Sequence, residues 1–222
     1  MTKEQLYCLV EKIRRDYGIS YPPPYQTKAL CSSSFGLYVN VLEIKTPKLR
    51  GMSHIPSRSI MLDSKMSDFE QNFYCAHEVM HHIIHKNRPT KLFSCYEETQ
   101  AEQDSFVEWE ANEGAAQFLV PYQDFIPRFS AVLDNPPHKD FWIEGYFSDQ
   151  YGVSPQVITF RLNNLEYEID QYRAGVPIDR INILSKRQRQ RLNIAATNYS
   201  ALCAFPLEWD DQIGIDGYAY SL

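Results

Sequence analysis

The chain has 222 residues, of which 44% are apolar, 14% are aromatic and 23% are charged, and its net charge at pH 7 is −6. This length and composition are typical of a soluble globular protein with one domain, or with one domain and a small addition. They exclude a largely disordered chain. The acidic balance argues against direct nucleic-acid binding, which a basic surface would favour.

The sequence shows neither a recognisable targeting segment nor two cysteines at C-x-x-C spacing. Charged residues interrupt the apolar positions of residues 1–16, so we expect no cleavable signal peptide. No run reaches the ~18 apolar residues that a membrane-spanning helix needs. The five cysteines are odd in number, scattered and without a C-x-x-C pair, which favours a reducing compartment over a disulfide framework. The sequence therefore predicts a cytoplasmic protein with no membrane partner.

The first third of the chain predicts one helix, an extended connector and two strands. Apolar residues at helical spacing favour a helix over residues 3–17, and Gly18 is a suitable stop. The three consecutive prolines within residues 21–25 cannot continue a helix. Residues 36–45 and 59–63 are rich in branched apolar side chains and read as strands. These two strands predict a small sheet that precedes the remaining helices in the chain.

The best-defined element is a helix that begins after Ser67 and continues to about residue 85. Ser67 can accept a hydrogen bond in the first turn, and Glu70 can return one to the backbone of Ser67, which is the reciprocal pair of a capping box. Asp68 adds negative charge where the helix dipole favours it. An apolar stripe runs along this segment and contains Phe69, Phe73, Ala76, Met80 and Ile83 or Ile84.

Two further helical blocks are predicted in the second half of the chain. The first covers about 97–120, is acidic in its first part, and ends at Pro121. The second covers 141–172 and consists of two helical patterns on either side of Gly152, with Ser154 as a suitable N-cap. Two short helices around such a turn resemble a helix-turn-helix element in outline.

The chemistry begins with His77, Glu78 and His81. Positions i and i+4 lie on one face of a helix, so the two histidines can present their imidazoles to a single zinc ion. Glu78 is rotated by ~100° from His77, which lets its carboxylate take a proton from the reacting water without being a ligand. The alternative is an ordinary amphipathic helix in which histidines happen to recur. The capping box argues against it, because it independently places the motif inside a helix.

A third protein ligand and one open position would make this site catalytic rather than structural. Glu108 and Asn112 are also at i and i+4, so Glu108 can bind the ion while Asn112 orients a ligating histidine. Glu110 is the competing ligand, although it points ~200° away from Glu108 around the helix. A solvated acid in an acidic helix is the remaining alternative for Glu108. A metzincin is excluded, since Ile84 and Asn87 stand where its Gly and third His would be.

Four segments of the chain resemble those of the ImmA/IrrE-type metallopeptidases. They are FYCAHEVMHHIIH at 73–85, EWEANEGAAQFLVP at 108–121, FSDQYGVS at 147–154 and RLNNL at 161–165. Their order and approximate separation also fit this family. The resemblance covers about residues 35–168.

The resemblance implies an α+β fold, a mostly helical zincin-like catalytic domain with a small sheet. This domain would occupy residues 1–172, followed by a C-terminal helical extension of unknown role at 173–222. The resemblance implies a zinc ion, or alternatively manganese, with Glu78 as the general base and with His77, His81 and Glu108 as ligands. Members of the family often cleave a helix-turn-helix repressor and thereby release mobile-element or stress-response genes. We therefore expect a protein substrate of that kind.

Two positions depart from the pattern of the family. Met80 stands where Gly is usual, and Gly114 stands where a large apolar residue is common. Neither change removes a chemical group. We therefore expect them to alter local packing more than catalysis.

Two functions without turnover stay open from the sequence. A regulatory protein would contact DNA through residues 147–165, with the metal site only stabilising its fold. The basic run of Lys186, Arg187, Arg189 and Arg191 favours it, but the net charge does not, and a solvated helix face explains the run equally well. The other is a partner-binding or toxin–antitoxin component that keeps the site residues but does not cleave.

Overall fold

The computed structural model describes residues 1–96, 104–138 and 141–203. Most of these residues are helical, and four strands among them form one mixed sheet. The predicted α+β class, mostly helical with a small sheet, is therefore confirmed. Within the described residues, no helix is both long enough and apolar enough to cross a membrane.

The strands and helices have the following bounds. The strands are β1 Tyr38–Leu42, β2 Leu49–His54, β3 Ser59–Asp63 and β4 Leu92–Tyr96. A π-helical turn covers Cys31–Phe35, and a 3-10 turn covers Ile178–Arg180. The α-helices are α1 Lys3–Asp16, α2 Thr27–Leu30, α3 Asp68–Ile84, α4 Ser105–Leu119, α5 Tyr122–Asp134, α6 Ile143–Tyr151, α7 Pro155–Asn164, α8 Glu166–Arg173, α9 Lys186–Arg191 and α10 Tyr199–Cys203.

The sheet has the strand order β1-β3-β2-β4, in which β1 runs parallel to β3 and β2 runs antiparallel to both of its neighbours. β1 and β3 match the two predicted strands, whereas the sequence does not predict β2 or β4. The buried positions of β2 are Leu49, Gly51 and Ser53. This inward face carries one large apolar side chain only, so it lacks the alternation that reveals a strand.

α3 begins with the predicted capping box. The hydroxyl of Ser67 accepts from the backbone N–H of Glu70 at 3.3 Å, and the Glu70 carboxylate accepts from the backbone N–H of Ser67 at 2.8 Å. These two bonds satisfy backbone donors that the first turn of a helix leaves unpaired. α3 packs on β2, β3 and β4 with one face and on α4 with another, which covers its histidines on both sides.

α4 is anchored at both ends. At its start, Asp104 accepts from the backbone N–H groups of Phe106 and Val107 at 3.0 and 3.3 Å. At its end, the guanidinium of Arg14 from α1 donates to the carbonyl of Gln117 at 2.6 Å, where the helix dipole favours a positive charge. The predicted helix is confirmed from Ser105 onward, and its expected first turns fall on residues 97–103, outside the described residues.

A buried polar network fixes α4 against α1 and α7. The fully buried guanidinium of Arg161 donates to the Glu113 carboxylate at 2.9 Å, to the Gln117 side-chain carbonyl at 2.9 Å and to the Tyr7 hydroxyl at 2.8 Å. Removing one partner of a buried ion pair strands the other charge and costs ~3–5 kcal/mol. The network therefore holds α4 in one position.

In the third predicted block, α6 and α7 are confirmed as the two helices that meet at Gly152, which has a left-handed φ of +62°. The second helical pattern does not continue to residue 172, because the backbone leaves helical geometry at Leu165 (φ −109°, ψ 9°) and a third helix, α8, begins at Glu166. Ser154 occupies the N-cap position of α7 but makes no side-chain capping bond. One face of α7 enters the core with Val157, Ile158, Arg161 and Leu162. The sequence does not predict α5, which carries an internal proline at position 127.

The described part of the C-terminal extension packs against the rest of the domain. Ile181, Ile183 and Tyr199 are buried, and the Tyr199 hydroxyl donates to Asp170 at 2.7 Å. The boundary at residue 172 stays a prediction. Residues 204–222 lie outside the described residues.

The two departures from the family pattern meet in the interface between α3 and α4. Met80 is fully buried, and a Cβ placed on Gly114 would lie 3.2 Å from both its Cγ and its Sδ. This separation is tighter than ordinary van der Waals contact. Met80 on α3 therefore occupies the space that a side chain at position 114 of α4 would need. The larger residue at position 80 and the smaller one at position 114 thus compensate each other in volume.

We expect Gly114→Leu and Met80→Ala each to destabilise the protein. The first overpacks the interface by about 1–3 kcal/mol and the second leaves a cavity worth about 2–5 kcal/mol. The double variant is expected to lose less stability than the sum of the two, because the leucine fills the space that Met80 vacates. Urea denaturation of all four proteins measures this, and strict additivity would contradict the exchange of volume.

Candidate metal centre

Two histidines of α3 face each other at the centre of the molecule. His77 and His81 are both fully buried, and their Nε2 atoms lie 3.0 Å apart. This is the arrangement expected of positions i and i+4 on one helical face. The two nitrogens point at the same place in the interface between α3 and α4.

Glu108 approaches this place from α4. Its Oε2 lies 3.4 Å from Nε2 of His77, and its Oε1 lies 3.8 Å from Nε2 of His81. Ligand atoms around a tetrahedral ion with bonds of ~2.1 Å are about 3.4 Å apart, so the three side chains have the spacing of ligands to one ion. Two imidazoles and a carboxylate form a donor set that suits zinc and also accepts manganese.

The protonation of His77 follows from Asn112. The side-chain oxygen of Asn112 lies 2.9 Å from Nδ1 of His77, and an amide oxygen can only accept. Nδ1 therefore carries a proton, and Nε2 is directed toward Glu108 and His81. Although burial opposes it, the neighbouring Cys95, Glu108 and Glu78 hold the pKa of His77 well above its usual range, so a proton on Nε2 competes with a metal ion for that lone pair. Asn112 thus lies where the sequence predicts it, behind a histidine of the cluster.

His81 is oriented through a longer chain of hydrogen bonds. Its Nδ1 lies 2.9 Å from Nδ1 of His85, and Nε2 of His85 lies 3.1 Å from the Glu110 carboxylate. Because Glu110 accepts from His85, a neutral His85 accepts from His81 and leaves the Nε2 lone pair of His81 free. Burial and the neighbouring His77 hold the pKa of His81 well below its usual range, which favours the neutral, ligating ring.

Glu78 lies beside the cluster rather than within it. Its carboxyl is fully buried, and neither oxygen has a hydrogen-bond partner among the described residues. A Cβ on Gly51 of β2 would lie 3.0 Å from Oε1 of Glu78, so the glycine leaves room for the carboxyl. Burial raises the pKa of Glu78 to about 7, against the lowering effects of His77 and the nearby Ser53 hydroxyl. A carboxyl with a pKa near neutrality suits proton transfer at physiological pH.

β4 adds two side chains that the sequence does not place near the site. Phe93 stacks on the His81 ring, with centroids 4.2 Å apart and planes inclined by 15°. The thiol of Cys95 lies within 4.8 Å of the ligand atoms of His77 and Glu78. The two residues alternate along a five-residue strand, which is the only local signal that could reveal them.

The structure brings the five predicted site residues together at one place, namely His77, Glu78, His81, Glu108 and Asn112. The competing ligand, Glu110, contacts His85 and lies outside the ligand cluster. Which side chains bind an ion stays a prediction, which this geometry supports.

Comparison with known proteins places this site in context. The model of the IrrE N-terminal-like domain family matches residues 33–163. A solved structure of a Mycobacterium tuberculosis transcriptional regulator is similar with a TM-score of 0.48 and 17% sequence identity, over 73% of this chain and 47% of that one. The chain thus spans about half the length of that regulator. Among curated proteins, none matches.

The fold and the site together define a metallopeptidase-type domain, in which a helix with paired histidines packs on a small sheet and on a helix that carries a glutamate. The family match covers more than half of the chain, and the chain belongs to the IrrE N-terminal-like domain family, which is a peptidase family. The resemblance seen in the sequence is thereby confirmed.

We expect His85→Phe to weaken metal binding by about 10–100-fold, because it keeps an aromatic ring beside Phe93 but removes the acceptor that orients His81. A competition titration of the metal-free protein against a chromophoric chelator measures the change. The matched control is His82→Phe, since His82 contacts the backbone carbonyl of Ser59 at 3.3 Å and no predicted ligand. Unchanged affinity in His85→Phe would contradict the orienting role.

Proposed function

We propose that this protein is a metal-dependent endopeptidase whose ion, zinc or alternatively manganese, is held by His77, His81 and Glu108. One observation carries the proposal: three buried ligand groups from two helices converge at the spacing of a metal site, and an unpartnered carboxyl lies beside them. Membership of a peptidase family supports the same reading.

When bound, the ion supplies Lewis acidity that polarises the scissile carbonyl and lowers the pKa of water. Glu78 takes a proton from the attacking water and delivers it to the leaving amine. The carboxyl is suited to this transfer because burial raises its pKa to about 7, and among the described residues neither of its oxygens makes a hydrogen bond of ordinary geometry. Asn112 and His85 keep the two imidazoles in the tautomer that ligates.

We propose a helix-turn-helix repressor as the natural substrate and the cytoplasm as the place of cleavage. The substrate class rests on the resemblance to ImmA/IrrE-type metallopeptidases. The compartment is supported by the five cysteines, all of which are free. Cys31 and Cys75 form no disulfide, and their sulfur atoms lie 3.6 Å apart in hydrogen-bond contact.

Elemental analysis of the purified protein tests the ligand set. We expect about one equivalent of metal in the wild type and in Glu78→Gln, because the latter changes no ligand. After reconstitution with manganese, which the Glu108 position favours, His81→Ala and Glu108→Ala are expected to lose the metal while their circular dichroism spectra stay helical. Retention of a full equivalent at wild-type affinity by Glu108→Ala would remove Glu108 from the proposed set.

A peptide library derived from helix-turn-helix repressors tests the activity. We expect the metal-loaded wild type to cleave library members, and Glu78→Gln to be slower by at least ~100-fold at equal metal content. Glu43→Gln is the control, since Glu43 lies on the surface, where it pairs with Lys65. Mass spectrometry of the products measures the rates, and equal rates for Glu78→Gln and the wild type would refute its role as the base.

A regulator that binds DNA is less well supported by the geometry. In the basic run, Arg189 is buried and pairs with Glu166 at 2.8 Å, so it is not available to a phosphate. In the segment with the helix-turn-helix outline, one face of α7 is used by the core. Salt-dependent DNA binding by the isolated protein would revive this alternative.

A further inference from the structure

A second group of metal-ligating side chains overlaps the proposed site. The ligand atoms of His77, Glu78 and Cys95 all lie within 4.8 Å of one another, and all three side chains are buried. The Cys95 thiol belongs to β4 and has no part in the proposed reaction. Its position beside the general base therefore calls for a separate explanation.

The backbone explains why these side chains meet. Cys95 is paired with Gly51 across the β2–β4 ladder, so both positions face α3. A side chain at Gly51 would collide with the Glu78 carboxyl, and its absence opens the space in which the thiol and the carboxyl approach each other. Within the described part of the chain, neither carboxyl oxygen of Glu78 has a hydrogen-bond partner. A buried carboxylate without a partner is costly, and a cation beside it would offset that cost.

The two groups share His77 and cannot both use it. Nδ1 of His77 donates to Asn112, which leaves one lone pair, on Nε2. This lone pair can serve one ion at a time. An ion held with His81 and Glu108 therefore excludes an ion held with Glu78 and Cys95.

We infer that His77, Glu78 and Cys95 form a second, mutually exclusive position for a thiophilic divalent ion, in which the protein is inactive. An ion in this position consumes Glu78 as a ligand, so the carboxylate can no longer move a proton. The inference rests on the proposed function, since it requires His77 to be a ligand of the catalytic position as well.

The chemistry of the donor atoms distinguishes the two positions. A thiolate prefers soft ions such as cadmium and zinc, whereas imidazole and carboxylate also accept manganese. Cadmium therefore favours the Cys95 position and manganese the Glu108 position, while zinc distributes between them. Binding at the Cys95 position converts the thiol to a thiolate and holds Glu78 as a carboxylate. The thiol proton, and the Glu78 proton from molecules in which this carboxyl is protonated, pass to the buffer without any change of oxidation state.

Cadmium titration with near-ultraviolet absorption tests the second position directly, because a thiolate bound to cadmium gives a charge-transfer band. We expect the band in the wild type and in His81→Ala, and its absence in Cys95→Ala and Cys95→Ser. The matched control is Cys31→Ala, which removes another fully buried thiol, in contact with Cys75 rather than with Glu78, and is expected to keep the band. In the His81→Ala background, Cys95→Ala is expected to lower the affinity for cadmium by at least ~100-fold.

Manganese titration by electron paramagnetic resonance reads the other position independently. We expect the wild type and Cys95→Ala to bind manganese with equal affinity, and His81→Ala to lose it. Manganese binding without any cadmium–thiolate band in the wild type would overturn the inference and leave the proposed function standing. A band that disappears in His81→Ala would make Cys95 a fourth ligand of the catalytic ion and would also overturn it. Binding of neither metal would overturn both proposals.

Discussion

The close approach of α3 and α4 is the constraint on which the rest of the structure depends, because the proposed ligands come from both helices. Met80 lies against Gly114 in their interface, and this pairing sets how near the helices come. α4 cannot shift along α3 because Arg14 holds the carbonyls at its end and Arg161 holds Glu113 in its middle. Glu108 is thereby delivered to within 3.8 Å of both histidine nitrogens.

The Nδ1 atoms of the two histidines make hydrogen bonds with polar side chains. On the sheet side of the site, the Glu78 carboxyl has no hydrogen-bond partner among the described residues. Asn112 and the pair of His85 and Glu110 assign the Nδ1 protons, so both Nε2 lone pairs are turned to one point. On the sheet side, the absence of a side chain at Gly51 admits the Glu78 carboxyl without giving it a partner. A buried carboxyl without a hydrogen-bond partner favours binding of a cation or a proton. Both proposals depend on this property of Glu78.

Prediction from the sequence succeeds where the information is local and fails where it is not. The capping box at Ser67 and Glu70 and the spacing of His77 and His81 are properties of one helix, and the structure agrees with both. β2 is missed because its inward positions include Gly51 and Ser53, which lack the apolar side chains that mark the buried face of a strand. At Gly51 the missing side chain leaves space for the Glu78 carboxyl. Cys95 is missed with β4, since a thiol beside the site is recognisable only once its strand is placed.

The sequence by itself determined the helix that carries the histidines, the acid beside them and the family to which the chain belongs. It also indicated Glu108 rather than Glu110 as the ligand. The helical period puts the two acids on different faces, and Asn112 shares the face of Glu108. Only the tertiary structure decided what each acid touches, with Glu108 at the histidine nitrogens and Glu110 behind His85. The physical reason is that the period of a helix relates residues within one element, whereas the meeting of α3, α4 and β4 depends on packing between elements distant in the chain.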